Sequence, residues 1–162
     1  MPPFIVSFIG AVSIALFFNM PAKKVWLAGC LGIIAWGGSH YFSLLFDLEN
    51  ASVFFGALLL GISSEIMAIF FKTPSLVFSV SGSIPLVPGV VTYEAARAAF
   101  EGDYAEAAGN GISALIIAGS IAMGIMIATA SFVTVRGILK ERRKKKLEVV
   151  ENEIPENSIF KV

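Results

Sequence analysis

The chain has one cysteine, one histidine and two tryptophans in 162 residues, and only 15% of its residues are charged. A lone cysteine, Cys30, excludes an intrachain disulfide framework and leaves the redox compartment unread. A lone histidine, His40, with no cysteine or acid at ligand spacing, excludes a zinc site, and no metal is expected. The sequence has no phosphate-binding G-x-x-x-x-G-K-[ST] loop, no G-x-S-x-G elbow, no dinucleotide fingerprint and no paired catalytic carboxylates. No soluble domain remains to hold an enzyme, so neither a catalytic residue, a cofactor nor ATP-driven pumping is expected of this chain. An ordinary soluble domain carries about 25% charged residues. The deficit here also excludes disorder.

What is present is apolar: 56% of residues are hydrophobic, with 15 Gly and 14 Phe, and the mean hydropathy is +0.81. A bilayer core of about 30 Å takes about 20 apolar residues as a helix. Charged residues punctuate five such runs, at 3–20, 25–46, 51–71, 75–100 and 107–135. These predict an all-α membrane domain over 1–135: a five-helix transmembrane bundle. The first run carries its positive charges, Lys23 and Lys24, after the apolar stretch. A secretory signal carries them before it, so this run is expected to stay as a helix.

The formal net charge of zero is a cancellation. Residues 1–135 hold 4 basic and 7 acidic residues, and 136–162 hold 8 basic and 5 acidic. Lys and Arg mark cytoplasmic loops. Lys23, Lys24, Lys72 and the cluster from Arg136 to Lys146 are therefore expected inside, and the loops at 47–50 and 101–106 outside. The N-terminus is then out and the C-terminus in. The basic stretch of 136–162 reads as a topology anchor that attracts anionic lipid, roughly 1 kcal/mol per residue near the surface, and not as a nucleic-acid site. Residues 147–162 are acidic and mixed, with Pro155, and are expected to be disordered or a flexible tether.

The fourth run breaks membrane rules. Pro85 and Pro88 each remove a backbone donor, and Gly82 and Gly89 add flexible points. The midpoint between Lys72 and Glu101 falls between Leu86 and Val87, so the fourth helix is expected to be broken by Pro85, Pro88 and Gly89 near mid-depth. Backbone freed there must be buried in protein or line a wet cavity. A second half-helix starting near Pro88 would aim the amides of Gly89, Val90 and Val91 at an anion. Thr92 and Tyr93 would add hydroxyls, and Ser79, Ser81 and Ser83 would line the other side. A proline kink packed by its neighbours is the equally weighted alternative.

Four more residues stand out. Glu65 lies about 10 Å of helix from Lys72, and an acid at that depth is a functional candidate. Proton coupling and a structural hydrogen bond, with Ser63 and Ser64 nearby, are its two readings. His40 reads as a cavity or packing residue, with a pH-responsive role as the alternative. Asn19, before Pro21, reads as a helix C-terminal cap. Arg97 is expected to pair with Glu94 at i+3, or else to meet a substrate carboxylate. Small residues on the second and fifth runs allow close helix approach. Five short helices barely enclose a cavity, so partner helices are expected.

Several segments together resemble the threonine/serine exporter family, specifically its small-subunit half. They are Phe18-Asn19-Met20-Pro21, the stretch Gly32–Tyr41 with Trp36, Gly37 and His40, Thr73-Pro74, and Ile84-Pro85-Leu86-Val87-Pro88-Gly89-Val90-Val91-Thr92-Tyr93. The similarity covers roughly residues 5–135. It implies a five-helix subunit of a bacterial inner membrane, paired with a larger homologous subunit that has five crossings of its own. It further implies export, driven by the proton gradient, of threonine, serine or a dicarboxylate such as succinate. A homo-oligomeric proton-coupled transporter and a non-transporting scaffold subunit are the other two classes the residues permit.

Overall fold

The structure is a computed structural model that describes residues 3–46 and 49–153, with side-chain surroundings for 3–46 and 51–137. Every regular element among them is helical: α1 (Pro3–Phe17), α2 (Ala22–Phe46), α3 (Glu49–Phe71), α4 (Ser75–Ser83), a 3₁₀ turn (Ile84–Leu86), α5 (Gly89–Glu101) and α6 (Tyr104–Glu153). The described chain is therefore all-α. By length and composition α2, Ala51–Phe71 and Tyr104–Gly137 can each cross a bilayer. Ser75–Leu86 and Gly89–Glu101 pass that test together, bent by 56° at the break. The first helix is 15 residues long, shorter than the run at 3–20.

The shortening has a local cause. Asn19 takes φ 58°, and the amide of Met20 donates to the carbonyl of Ala15 while that of Asn19 donates to Leu16, both at 3.0 Å. This is a Schellman cap with Asn19 in the left-handed position and Pro21 just beyond. The same device ends α3: Lys72 has φ 50°, the Thr73 amide donates to the Ala68 carbonyl at 3.3 Å, and Pro74 follows. Gly102, at φ 88°, ends α5 with its amide on Ala99 and that of Asp103 on Ala98. Asp103 then opens α6, its Oδ1 accepting from the Glu106 amide at 3.0 Å. An Asp side chain accepting a first-turn amide is a helix N-cap.

Lys24 joins two of these ends. Its Nζ donates to the Phe71 carbonyl and to Thr73 Oγ1, both at 2.7 Å. A cation on the last carbonyls of α3 complements that helix's negative end. It also places the loops at 18–21 and 72–74, and so Lys23, Lys24 and Lys72, at one end of the bundle.

Small residues set the packing. A Cβ on Gly32 would lie 2.8 Å from Ala11 Cβ and 2.9 Å from the Ser7 carbonyl, so α1 rides directly on α2. One on Gly56 would lie 2.6 Å from the Ala35 carbonyl, joining α2 to α3. One on Gly124 would lie 2.7 Å from the Phe54 carbonyl, and one on Gly61 2.5 Å from Ala128 Cβ. In the last two contacts the residue numbers rise together, so α3 and α6 run parallel. The core between these helices holds Ala28, Leu31, Ala35, Ala57, Leu60 and Phe78.

Residues Met1–Thr129 form one compact unit and Ala130–Val162 a second. The second unit is the far part of α6, which continues as helix to Glu153. Residues 147–153 are thus helical rather than a flexible tether. An uninterrupted run free of Gly and Pro after Gly137, rich in Lys, Arg, Glu and Leu, has the propensity to do this. Asp47, Leu48 and residues 154–162, with Pro155, lie outside the described residues.

Candidate functional site

Between α4 and α5 the chain leaves α-helix at residues 84–88, the stretch that holds Pro85 and Pro88. Gly82 packs so closely that a Cβ there would meet Leu60 Cδ1 at 2.5 Å and Leu31 Cβ at 3.2 Å. Leu60 is the middle residue of α3. Three residues on, the Pro85 ring lies beside Gly32, 3.5 Å from where a Cβ would be, two residues from the middle of α2. Ile84–Leu86 tighten into the 3₁₀ turn with Pro85 in its first positions, Val87 is extended (ψ 130°), and Pro88 caps α5. The expected half-helix starts one residue later than a proline in its first turn would give: Pro88 is the cap and Gly89 the first helical residue.

The break divides the proposed residues into two environments. On the α4 side Ser79, Ser81 and Gly82 are buried, and Ser83 and Pro85 are half-buried. Ser79 Oγ donates to the Ser75 carbonyl at 2.7 Å and Ser83 Oγ to that of Val80 at 2.9 Å. On the α5 side Gly89, Val90, Thr92 and Tyr93 are exposed. The Gly89 amide is taken by the Val87 carbonyl at 2.8 Å, and Thr92 gives both its amide (3.0 Å) and its hydroxyl (2.7 Å) to the Pro88 carbonyl. No side chain caps this helix. The amides of Val90 and Val91 are first-turn donors, which a helix leaves without intrahelical partners. Of the three amides expected there, two stay available to a ligand.

A groove of about 450 Å³ adjoins the break, lined by Pro3, Val6, Ser7, Gly10, Trp36, Ile84 and Pro85. That is within the range of small-molecule sites. Trp36 lies between Phe4, edge-on with ring centroids 4.9 Å apart, and His40, stacked at 4.9 Å and 15°. His40 is thus an exposed residue tied through Trp36 to the groove. Trp36 and the Pro3–Gly10 face of α1 are the part that sequence reasoning missed. The i, i+4 spacing of Trp36 and His40, on the helical segment quoted for the resemblance, was the available signal.

The remaining candidates separate from the break. Glu65 is buried on α3, 3% exposed, and Ser64 beside it is fully buried. Asn19 is the cap described above. Arg97 pairs with Glu101, not with Glu94: its Nε donates to Oε1 at 2.8 Å across one turn, with both side chains about 60% exposed. The i+4 spacing puts Glu101 directly over Arg97 on the helix surface. Glu94 instead lines a small cleft of about 70 Å³ with Arg97, Ala98, Glu101 and Glu106. Among the described residues no three His, Cys, Asp or Glu side chains gather as a metal site.

The family model described as Threonine/Serine exporter, ThrE, matches residues 3–131. No curated protein and no solved structure matches the chain. The match takes in α1 to α5, including the break, and α6 as far as residue 131, and the chain belongs to the threonine/serine exporter family. It is a transporter-family protein and not an enzyme.

Proposed function

We propose that this member of the threonine/serine exporter family is the smaller subunit of a two-component secondary exporter in a bacterial cytoplasmic membrane. Its substrate is a small carboxylate metabolite, a threonine- or serine-like amino acid or a dicarboxylate such as succinate. The observation that carries the reading is the broken helix at the mid-level of an apolar bundle, in a chain of that family. The substrate carboxylate meets the Val90 and Val91 amides at the positive end of α5, with Ser81, Ser83, Pro85, Pro88, Gly89, Thr92 and Tyr93 around the break. Trp36 and His40 border the approach along the groove.

Five crossings are part of the same reading. The parallel run of α3 and α6 supports it, because the intervening chain must then return from one end of the bundle to the other. Length supports it too. Ser75–Leu86 rises about 20 Å, and 13 residues of α5 inclined by 56° add about 11 Å, together about one bilayer core. The lysine end, held by Lys24, is then cytoplasmic. The N-terminus is out, and the C-terminal basic helix is in, against anionic lipid.

The α5 side of the site is open in this chain, with Val90 72% and Tyr93 68% exposed. That supports a partner, the larger homologous subunit, as the other wall. Glu65, an acid buried in the apolar body, is the proton-coupling group. The experiment is reconstitution into proteoliposomes, alone and with the larger subunit, measuring efflux of labelled threonine, serine and succinate under an imposed proton gradient. Flux only with the partner is expected. Flux from the chain alone would replace the pair by a homo-oligomer, and no flux with either would leave a scaffold subunit. With Glu65→Gln, efflux that still follows the proton gradient would remove Glu65 from coupling.

A further inference from the structure

Among the described residues three helix ends carry a left-handed residue: Asn19, Lys72 and Gly102. Glycine and asparagine take that geometry at low cost, and lysine does not. Nor does α3 need Lys72 for its charge. The Lys24 ammonium already sits on the Phe71 carbonyl and on Thr73 Oγ1, both at 2.7 Å. A residue held in costly geometry, with no use for its charge inside the fold, calls for a use outside it.

Lys72 is not alone there. The Lys24 tie holds residues 71–73 within one lysine's reach of the first turn of α2, so Lys23, Lys24 and Lys72 share one rim of the bundle. Lys23 and Lys72 are exposed. The partners of Lys24 are neutral oxygens, so its charge stays uncompensated. The chain holds no acid from residue 1 to 46 or from 66 to 93. The nearest acid along α3, Glu65, is about 10 Å of helix away from Lys72 and buried. Aromatic residues flank the lysines: Phe17, Phe18, Phe70 and Phe71 are exposed, and Trp26 is 55% exposed with its Nε1 donating to the Lys23 carbonyl at 3.0 Å. Tryptophan at the end of a membrane helix sits at headgroup level. Because α2 and Ala51–Phe71 are each of membrane-crossing length, this rim lies at a bilayer surface.

We propose that the lysine rim is a docking surface for the headgroups of anionic phospholipid, separate from the basic stretch of 136–146. Three cations with no acid among them complement the phosphate charge. The exposed aromatic rings suit the layer just beneath the headgroups. Cations and apolar rings side by side fit a lipid, whereas a soluble phosphate would use only the cations. The surface has a consequence for the fold. Lipid phosphate over Lys23 and Lys72 offsets the mutual repulsion of three like charges, which otherwise opposes holding the end of α3 against the start of α2. This surface goes beyond the exporter reading and does not depend on it.

The test uses Trp26 as reporter. Trp36→Phe leaves it the only tryptophan, and the full chain is placed in vesicles of phosphatidylcholine with a minor fraction of phosphatidylglycerol. Brominated acyl chains are carried either by the phosphatidylglycerol or by an equal amount of the phosphatidylcholine, so that composition stays constant. Brominated phosphatidylglycerol is expected to quench Trp26 more strongly. Lys23→Gln and Lys72→Gln each lower that preference, by up to about fivefold, and together they abolish it. Lys144→Gln with Lys145→Gln leaves it in place, and so does inorganic phosphate in excess over lipid at constant ionic strength. In neutral detergent Lys72→Gly melts at or above the wild type, since glycine relieves the left-handed position, so its lower preference in vesicles reports charge and not fold. Equal quenching by the two lipids overturns the proposal, as does a wild-type preference in the double lysine variant. A preference erased by the tail substitutions or by inorganic phosphate overturns it too, in favour of the tail or of a soluble anion. A Lys72→Gly chain that melts lower would give Lys72 to the fold and likewise overturn it.

Discussion

Gly124 and Gly119 lie on the same helix, five residues apart, and the same substitution separates them. A Cβ on Gly124 would sit 2.7 Å from the Phe54 carbonyl oxygen, 2.8 Å from Ala57 Cβ and 3.0 Å from the Leu58 amide. Contacts of that kind settle at about 3.5–4.0 Å. Two of the three neighbours are backbone atoms that cannot swing aside, so α3 and α6 must part by somewhat under 1 Å. Forcing a methyl into such a site costs about 1–3 kcal/mol. A Cβ on Gly119 meets nothing within 4 Å. Both substitutions gain the same helix propensity, about 1 kcal/mol. That gain cancels between them, and the difference isolates the steric cost. The isolated chain in mixed micelles, unfolded by rising SDS, should therefore show Gly119→Ala at or above wild-type stability and Gly124→Ala lower by about 1–3 kcal/mol. Equal stabilities would refute the close parallel contact of α3 with α6, and with it the geometric support for a crossing between them.

Three further outcomes follow from other contacts. Lys24→Met removes the cation from the Phe71 carbonyl and Thr73 hydroxyl, a loss of about 1.5–3 kcal/mol for a charged hydrogen bond; proteolysis of the 72–74 loop should quicken, and an unchanged cleavage rate would contradict the tie. Asn19→Gly keeps the left-handed cap and should be near neutral in thermal unfolding, while Asn19→Val should lose about 1–2 kcal/mol; equal melting temperatures would remove the cap from the account. Glu101→Gln breaks the exposed pair with Arg97 and should leave thermal stability within error of wild type, whereas a marked drop would mean that the pair is shielded from water.

Much of this architecture is legible in the residues because membrane insertion enforces simple rules. Charge punctuation places α2 and α3 within a few residues, and two prolines with a glycine three residues before the first and one directly after the second locate the break at mid-bundle. Asn19 before Met20-Pro21 reads correctly as a cap, since αL geometry at a helix end favours few residue types. What sequence alone misses is relational. The pairing of Arg97 depends on a choice between i−3 and i+4 partners of the same charge. The groove depends on which face of α1 meets Trp36. The split between a buried α4 side and an exposed α5 side depends on a 56° bend, whose size no spacing encodes. The helical course of residues 147–153 follows from propensity that a charge count does not weigh.

The central claim is that substrate engages the start of α5. Gly89 is the position to test it, because a side chain there meets nothing within 4 Å and the fold can accept one. The decisive measurement is efflux of labelled threonine and succinate from proteoliposomes holding this chain and its larger partner, comparing wild type with Gly89→Leu at equal membrane incorporation. Loss of efflux with the complex intact is the predicted result. Wild-type efflux of the transported substrate from the leucine variant would contradict the claim and leave the break as a packed kink.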